Sequence, residues 1–346
     1  MVKLGVIGLG IGLFHIRKIV ESKEGVLAAI CDIDEKKLKA VGEQYGIPEN
    51  RRFTDYRDLI ACEDVDAVEV CTPNYLHAQM AVDVIKANKP VQVEKPMDVD
   101  FESAQAMVEA LKENPVINMA VFSYRFFPAT RYAKYILDKK MIGDIVSVRI
   151  EYLKDSAFWK GRRLDWRFVK KYAGAGVIAD LGAHLIDMAE FLVGKAEKVF
   201  GTVSTVVKER QVLDGEEYAK VETDDCAQGM MRFENGATAT FNISRCAHGH
   251  QNHIVFDVYG TEGVISFDLN NPEVLNVCIG ELDLNSGKTH QISVPASYRL
   301  TQEQAFIRAV EGNPTPYHPT IEDGMRCQTI IDAVLKSHEE GKWISV

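Results

Sequence analysis

Lys3-Leu4-Gly5-Val6-Ile7-Gly8-Leu9-Gly10-Ile11-Gly12 stands almost at the start of the chain, and its reading decides the fold. A short apolar strand runs straight into three glycines, and His15 to Glu21 beyond them suit a helix. In such a turn Gly8 permits the tight bend. Gly10 lets the backbone approach a pyrophosphate, whose charge is stabilised by the amides and positive end of the following helix. Gly8, Gly10, Ile11 and Gly12 are therefore candidate dinucleotide contacts. The spacing departs from G-x-G-x-x-G, because Leu13 stands where the third glycine is expected and Gly12 comes one position early. Met1 to Phe14 is read as the first strand and turn rather than as a secretory leader, since the glycines interrupt its apolar run.

Working outward, the apolar strand Val26 to Cys31 ends at Asp32, which lies 22 residues after Gly10. An acid at about 20 residues binds the adenine ribose hydroxyls. With Ile33 beside it and no arginine nearby, Asp32 should repel a 2′-phosphate, so NAD is favoured over NADP. Asp34 is left to cap the next helix. A strand Ala67 to Cys71 leads to Thr72-Pro73-Asn74 and a helix carrying His77. Another strand, from Val91, ends in Glu94-Lys95-Pro96, and Pro96 biases Lys95 to an extended conformation that projects its ammonium from the strand end. With a further helix and the strand Val116 to Ala120, the alternation predicts a doubly wound parallel sheet over residues 1–122. Gly8, Asp32, Thr72 and Lys95 then share its carboxyl edge, where such sheets bind ligands.

Residues 123–346 read differently. After a helix from Tyr124 to about Lys140, the segments 145–152, 197–206, 225–233, 237–244, 254–259 and 264–268 have strand character, and Glu234-Asn235-Gly236 and Gly260-Thr261-Glu262-Gly263 are hairpin turns. A large, mostly antiparallel open sheet is expected, giving an α+β second domain. Thr301 with Gln304 forms a capping box, and Thr320 caps a last helix reaching about His338. One helix stands apart: Val177 to Met188 is mostly apolar yet places Asp180, His184 and Asp187 at spacings of four and three, on one face. Buried charges need partners, and a histidine with a carboxylate one turn away is also what removal of a hydroxyl proton requires.

Net charge is −10 with no basic run, so a nucleic-acid binder is not expected. No apolar stretch is long enough to span a membrane. Seven cysteines without a C-x-x-C pair fit a reducing cytoplasm and argue against a disulfide framework or zinc site. His248, His250 and His253 share a loop without an accompanying acid or cysteine, so no metal is assigned there.

With these residues in hand, the chain resembles the Gfo/Idh/MocA oxidoreductases. The resemblance rests on the glycine turn, Thr72-Pro73-Asn74 with His77, Glu94-Lys95-Pro96, Tyr124-Arg125 with Pro128, Gly174 to Gly176, Asp180-x-Gly182-x-His184-x-x-Asp187 and Gly260 to Gly263. It implies an N-terminal Rossmann domain, a C-terminal α/β domain whose open sheet makes a homodimer or homotetramer, and a substrate cleft between them. It also implies that Thr72, Pro73, Asn74, His77, Glu94 and Lys95 join the glycines and Asp32 in holding the cofactor. Lys95, Asp180 and His184 stand at the positions of the family's catalytic residues, and Leu164 to Phe168 looks like members acting on cyclitols and sugars, such as inositol and levoglucosan dehydrogenases. Tyr124, Arg125, Trp166 and Arg167 are substrate candidates on the same ground. The implied activity is NAD-dependent oxidation of a secondary hydroxyl on a polyol or sugar. Two alternatives are a non-catalytic dinucleotide-binding sensor or co-regulator and an NADPH-dependent carbonyl reductase.

Overall fold

A computed structural model describes residues 1–346, which form two compact units. The first comprises Met1–Phe122 with Thr301–Arg326, and the second Ser123–Leu300 with Cys327–Val346. The linear division at residue 122 therefore leaves out a returning segment.

The first unit alternates β1 (Val2–Ile7), α1 (Gly12–Ser22), β2 (Gly25–Cys31), α2 (Glu35–Tyr45), β3 (Arg52–Phe53), α3 (Tyr56–Ala61), β4 (Ala67–Val70), α4 (His77–Lys86), β5 (Val91–Val93), α5 (Phe101–Glu113) and β6 (Asn118–Ala120). The strands form one parallel sheet in the order β3-β2-β1-β4-β5-β6. Its strand order reverses between β1 and β4, the switch point at which ligands bind. Val68, Val70, Val91 and Val93 are wholly buried, as strands covered by helices on both faces must be. Asp34 caps α2 by accepting the amides of Lys36 and Lys37, as the sequence predicts.

In the second unit follow α6 (Pro128–Asp138), β7 (Ile145–Leu153), α7 (Lys170–Ala173), α8 (Val177–Asp180), α9 (Gly182–Val193), β8 (Ala196–Ser204), β9 (Glu209–Gln211), β10 (Tyr218–Lys220), β11 (Cys226–Phe233), β12 (Thr238–Ser244), β13 (His253–Gly260), β14 (Gly263–Asp268), β15 (Val274–Ile279), α10 (Glu281–Ser286) and β16 (His290–Ser293). α11 (Gln302–Val310), α12 (Ile321–Glu340) and β17 (Ile344–Ser345) complete the chain. A nine-stranded sheet runs β16-β15-β14-β13-β7-β12-β11-β8-β17, antiparallel throughout except where β12 pairs parallel with β7. β9 and β10 form a separate hairpin.

Thr301 and Gln304 make the expected capping box at α11. Asp323 N donates to Thr320 Oγ1 at the start of α12. The returning segment binds the edge strand of the first sheet: Ala120 N donates to Pro319 O at 3.0 Å and Ile321 N to Asn118 Oδ1 at 2.9 Å. Covering an edge strand removes unpaired backbone groups that would otherwise recruit another chain.

Candidate active site

In the first unit the glycine turn is built by contacts from three strand ends. Gly8 adopts φ +92°, and a Cβ there would lie 2.6 Å from Cys71 O, so only glycine fits. Its amide donates to Cys31 O at 2.8 Å, and Leu9 N donates to Asp32 Oδ2 at 2.7 Å. Gly10 and Ile11 are exposed, and nothing lies within 4 Å of a Cβ built on Gly10. Gly12 is buried, and a Cβ there would stand 3.0 Å from Val6 Cγ1 and 3.3 Å from Cys71 Cβ. Gly12 thus performs the close helix-to-strand packing of the motif's third glycine one position early, while Leu13 faces outward.

Asp32 holds the turn as well as standing at the ribose position. Its Oδ1 accepts Asp34 N, and Lys37 Nζ lies 3.6 Å from Oδ2. Thr72 Oγ1 is buried without a hydrogen-bond partner in the protein, a polar atom suited to a ligand beside the turn. The open Gly10 backbone, Asp32 and this hydroxyl fit a dinucleotide. His77 is buried, with Nδ1 2.7 Å from Pro96 O and Nε2 2.8 Å from Thr72 O. Its ring braces the loops that carry Thr72 and Pro96. Asn74 is buried and Pro73 half-buried in the same loop. Lys95 is half-buried; its backbone N donates to Glu94 Oε2 at 3.1 Å, and its peptide bond to Pro96 is cis.

In the second unit the predicted continuous helix is two helices, broken at Leu181. Asp224 sets the first one: its Oδ1 accepts Gly176 N at 2.6 Å, its Oδ2 accepts Ile178 N at 2.9 Å, and its backbone O accepts Val177 N. Burial pushes the Asp224 carboxyl up from the ordinary value, against the pull of those amides. From Ala175 to Val193 every residue is buried except Asp180, His184 and Glu190. Asp187 does not share their opening. It is buried in a bidentate pair with Arg125, whose Nε lies 2.8 Å from Oδ2 and whose Nη2 lies 2.5 Å from Oδ1. This buried carboxylate fixes the Arg125 guanidinium within the frame of the second unit.

Tyr124 stacks on His184, with ring centroids 4.2 Å apart at 23°. The Tyr152 hydroxyl donates to Asn252 Oδ1 at 3.0 Å, which leaves the Tyr124 hydroxyl as donor to Tyr152 at 2.7 Å. Burial pushes Tyr124 up to about 12, with the Asp180 charge adding to the rise, and Tyr152 is raised further. Both phenols stay neutral near pH 7. Tyr152 and Asn252 were not legible in the sequence; the one available signal is a polar tip at the end of an alternating strand. Trp166 is half-buried, and exposed Arg167 lies over its ring at 4.5 Å. His250 and His253 rings lie 4.8 Å apart, and His248 stacks on Phe158.

Residues 2–122 match an oxidoreductase family with an NAD-binding Rossmann fold, and residues 130–266 match the GFO/IDH/MocA C-terminal domain. Levoglucosan dehydrogenase of Pseudarthrobacter phenanthrenivorans is 32% identical over 85% of this chain and 83% of its own. Myo-inositol 2-dehydrogenase of Thermotoga maritima is 29% identical over 99% of this chain and 98% of its own. The structure of a levoglucosan dehydrogenase in complex with NADH and levoglucosan superposes with a TM-score of 0.91 at 29% identity, covering 100% of this chain and 99% of that one. With a switch-point glycine turn in one unit, an open acid and histidine in the other, and both halves matched, this chain belongs to the Gfo/Idh/MocA oxidoreductases.

Proposed function

We propose that the enzyme oxidises a secondary hydroxyl of a cyclitol or sugar with NAD, acting in the cytoplasm as a homodimer or homotetramer built through the nine-stranded sheet. The observation that carries this is the pair Asp180 and His184, opened on an otherwise buried pair of helices. The activities of the two named relatives support the substrate class. No helix is long and apolar enough to cross a membrane.

The glycine turn, Asp32 and Thr72 would hold the dinucleotide, which when bound accepts the hydride from the carbinol carbon. His184 takes the hydroxyl proton as general base, a role contributing ~10²–10⁴-fold. Tyr124, fixed by Tyr152 and Asn252, sets the plane of the imidazole through stacking. Asp180, four residues before His184, orients the ring and a neighbouring hydroxyl. The Lys95 ammonium stabilises negative charge as it develops on the oxygen, an interaction that strengthens towards the transition state.

The test is absorbance at the NADH wavelength with purified protein, NAD, and a panel of inositols, monosaccharides and anhydrosugars. Turnover of at least one neutral polyol is expected. Tight NADH binding with no reduction across the panel would contradict the proposal and favour a non-catalytic sensor. Sedimentation as a monomer would overturn the oligomer.

A further inference from the structure

Glu69 and Gln92 are wholly buried in the middle of the central strands β4 and β5, where they are register partners. Polar groups at such positions need partners, and theirs converge on His15 of α1, which is 1% exposed. Glu69 Oε2 lies 3.0 Å from His15 Nδ1, and Glu94 Oε1 lies 3.0 Å from Nε2. Gln92 Nε2 at 3.4 Å, Gln302 Nε2 at 3.5 Å and Glu303 Oε1 at 3.8 Å complete the surroundings of Nδ1. A carboxylate oxygen 3.0 Å from each ring nitrogen favours the protonated, imidazolium form of the ring. This agrees with its pKa, which burial lowers but the hydrogen bonds of Glu69 and Glu94 raise by more.

One of these carboxylates continues outward. Glu94 receives His15 on Oε1 and the backbone N of Lys95 on Oε2. His15 lies in the first turn of the helix that begins at Gly12 of the glycine turn. We propose that His15 is a positioning residue: through Glu94 it fixes the Lys95 backbone relative to the turn that would hold the dinucleotide. The inference rests on the reading of Lys95 as the group that stabilises the developing oxyanion. Glu69 balances the charge on the far side of the ring and has no contact with Lys95 among these bonds, so it is the internal control.

The experiment is a double-mutant cycle of His15→Gln and Lys95→Ala, read as kcat and KM on the substrate found in the panel. Lys95→Ala alone should lower kcat about 10²-fold. His15→Gln should lower kcat by about 10–100-fold with KM within roughly threefold, the scale of a displaced catalytic group. In the double variant the loss should stay within about twofold of Lys95→Ala, because the positioned group is gone. Glu69→Gln should lower the thermal midpoint yet keep kcat within roughly threefold of the wild type.

Losses that multiply in the double variant would overturn the inference and leave the role of Lys95 intact. Wild-type turnover in Lys95→Ala would instead overturn the proposed mechanism itself. A kcat loss in Glu69→Gln as large as in His15→Gln would mean a merely structural cluster. His15, Glu69 and Cys71 offer ligand atoms within 4.8 Å of one another. Stoichiometric zinc in the purified enzyme, absent from His15→Gln, would therefore overturn the imidazolium. Should His15→Gln not fold, Glu94→Ala takes its place in the cycle, because Glu94 is the link; multiplying losses there overturn the inference equally.

Discussion

His15 and His184 are both helical histidines with a carboxylate close in space or in sequence, and their surroundings give them opposite capacities. His15 is sealed between Glu69 and Glu94, with an ion-pair distance of 3.0 Å on each ring nitrogen. His184 is half-buried, stacked on Tyr124, and carried by helices whose other members face inward apart from Asp180 and Glu190. A proton held by two buried carboxylates cannot be traded with a substrate, whereas a ring at an opening can accept one. Burial and partner count separate a brace from a base more clearly than residue type does.

The frame behind His184 is the first place to press this contrast. Arg125→Ala strands the Asp187 carboxylate in the core, and breaking such a pair costs about 3–5 kcal/mol. The expected outcome is a lower urea midpoint; unchanged stability with a raised KM would return Arg125 to the substrate. Next, Asp224→Ala removes the acceptor of the Gly176 and Ile178 amides, a loss of about 1–2 kcal/mol. Its raised carboxyl already offsets part of the gain, so the lower figure is expected in thermal unfolding, together with reduced kcat as Asp180 loosens.

The buried side of the contrast predicts a pH dependence. The His15 proton, held above the unfolded value of 6.5, contributes its full stability below that value, and the contribution is lost as pH rises through the folded value. Burial raises the Cys71 thiol in the same cluster, which acts in the same direction above its ordinary value of 9.0. The thermal midpoint should therefore fall from pH 7 towards alkaline pH, and His15→Gln should flatten the slope; an equal slope would show that His15 does not carry the proton. The smallest effect concerns the cofactor. Asp32→Ser removes the charge at the ribose position and should raise NADPH affinity relative to NADH by about five- to tenfold, with titration of both as the check.

The parts legible in the sequence are those fixed by neighbours along the chain. The turn at Gly8 to Gly12, the caps at Asp34 and Thr301, and the hairpin at Glu234-Asn235-Gly236 are short-range, so local spacing reveals them. The helical spacing of Asp180 and His184 was legible for the same reason. Three features were not, because their partners are remote in sequence: Arg125 with Asp187, Asp224 with Gly176, and Glu303 of the returning segment with His15. Asp187 carries the same helical spacing whether it opens to a substrate or closes on an arginine. Glu69 and Gln92 did leave a trace, as polar residues inside apolar central strands, but the trace names no partner.

The most direct test of the account is the rate of NADH formation by His184→Ala on a substrate the wild type turns over. The account predicts a fall of about 10²–10⁴-fold in kcat, with the thermal midpoint and NADH affinity close to those of the wild type. Wild-type turnover in the folded variant would contradict it, because the open histidine would then not be the base.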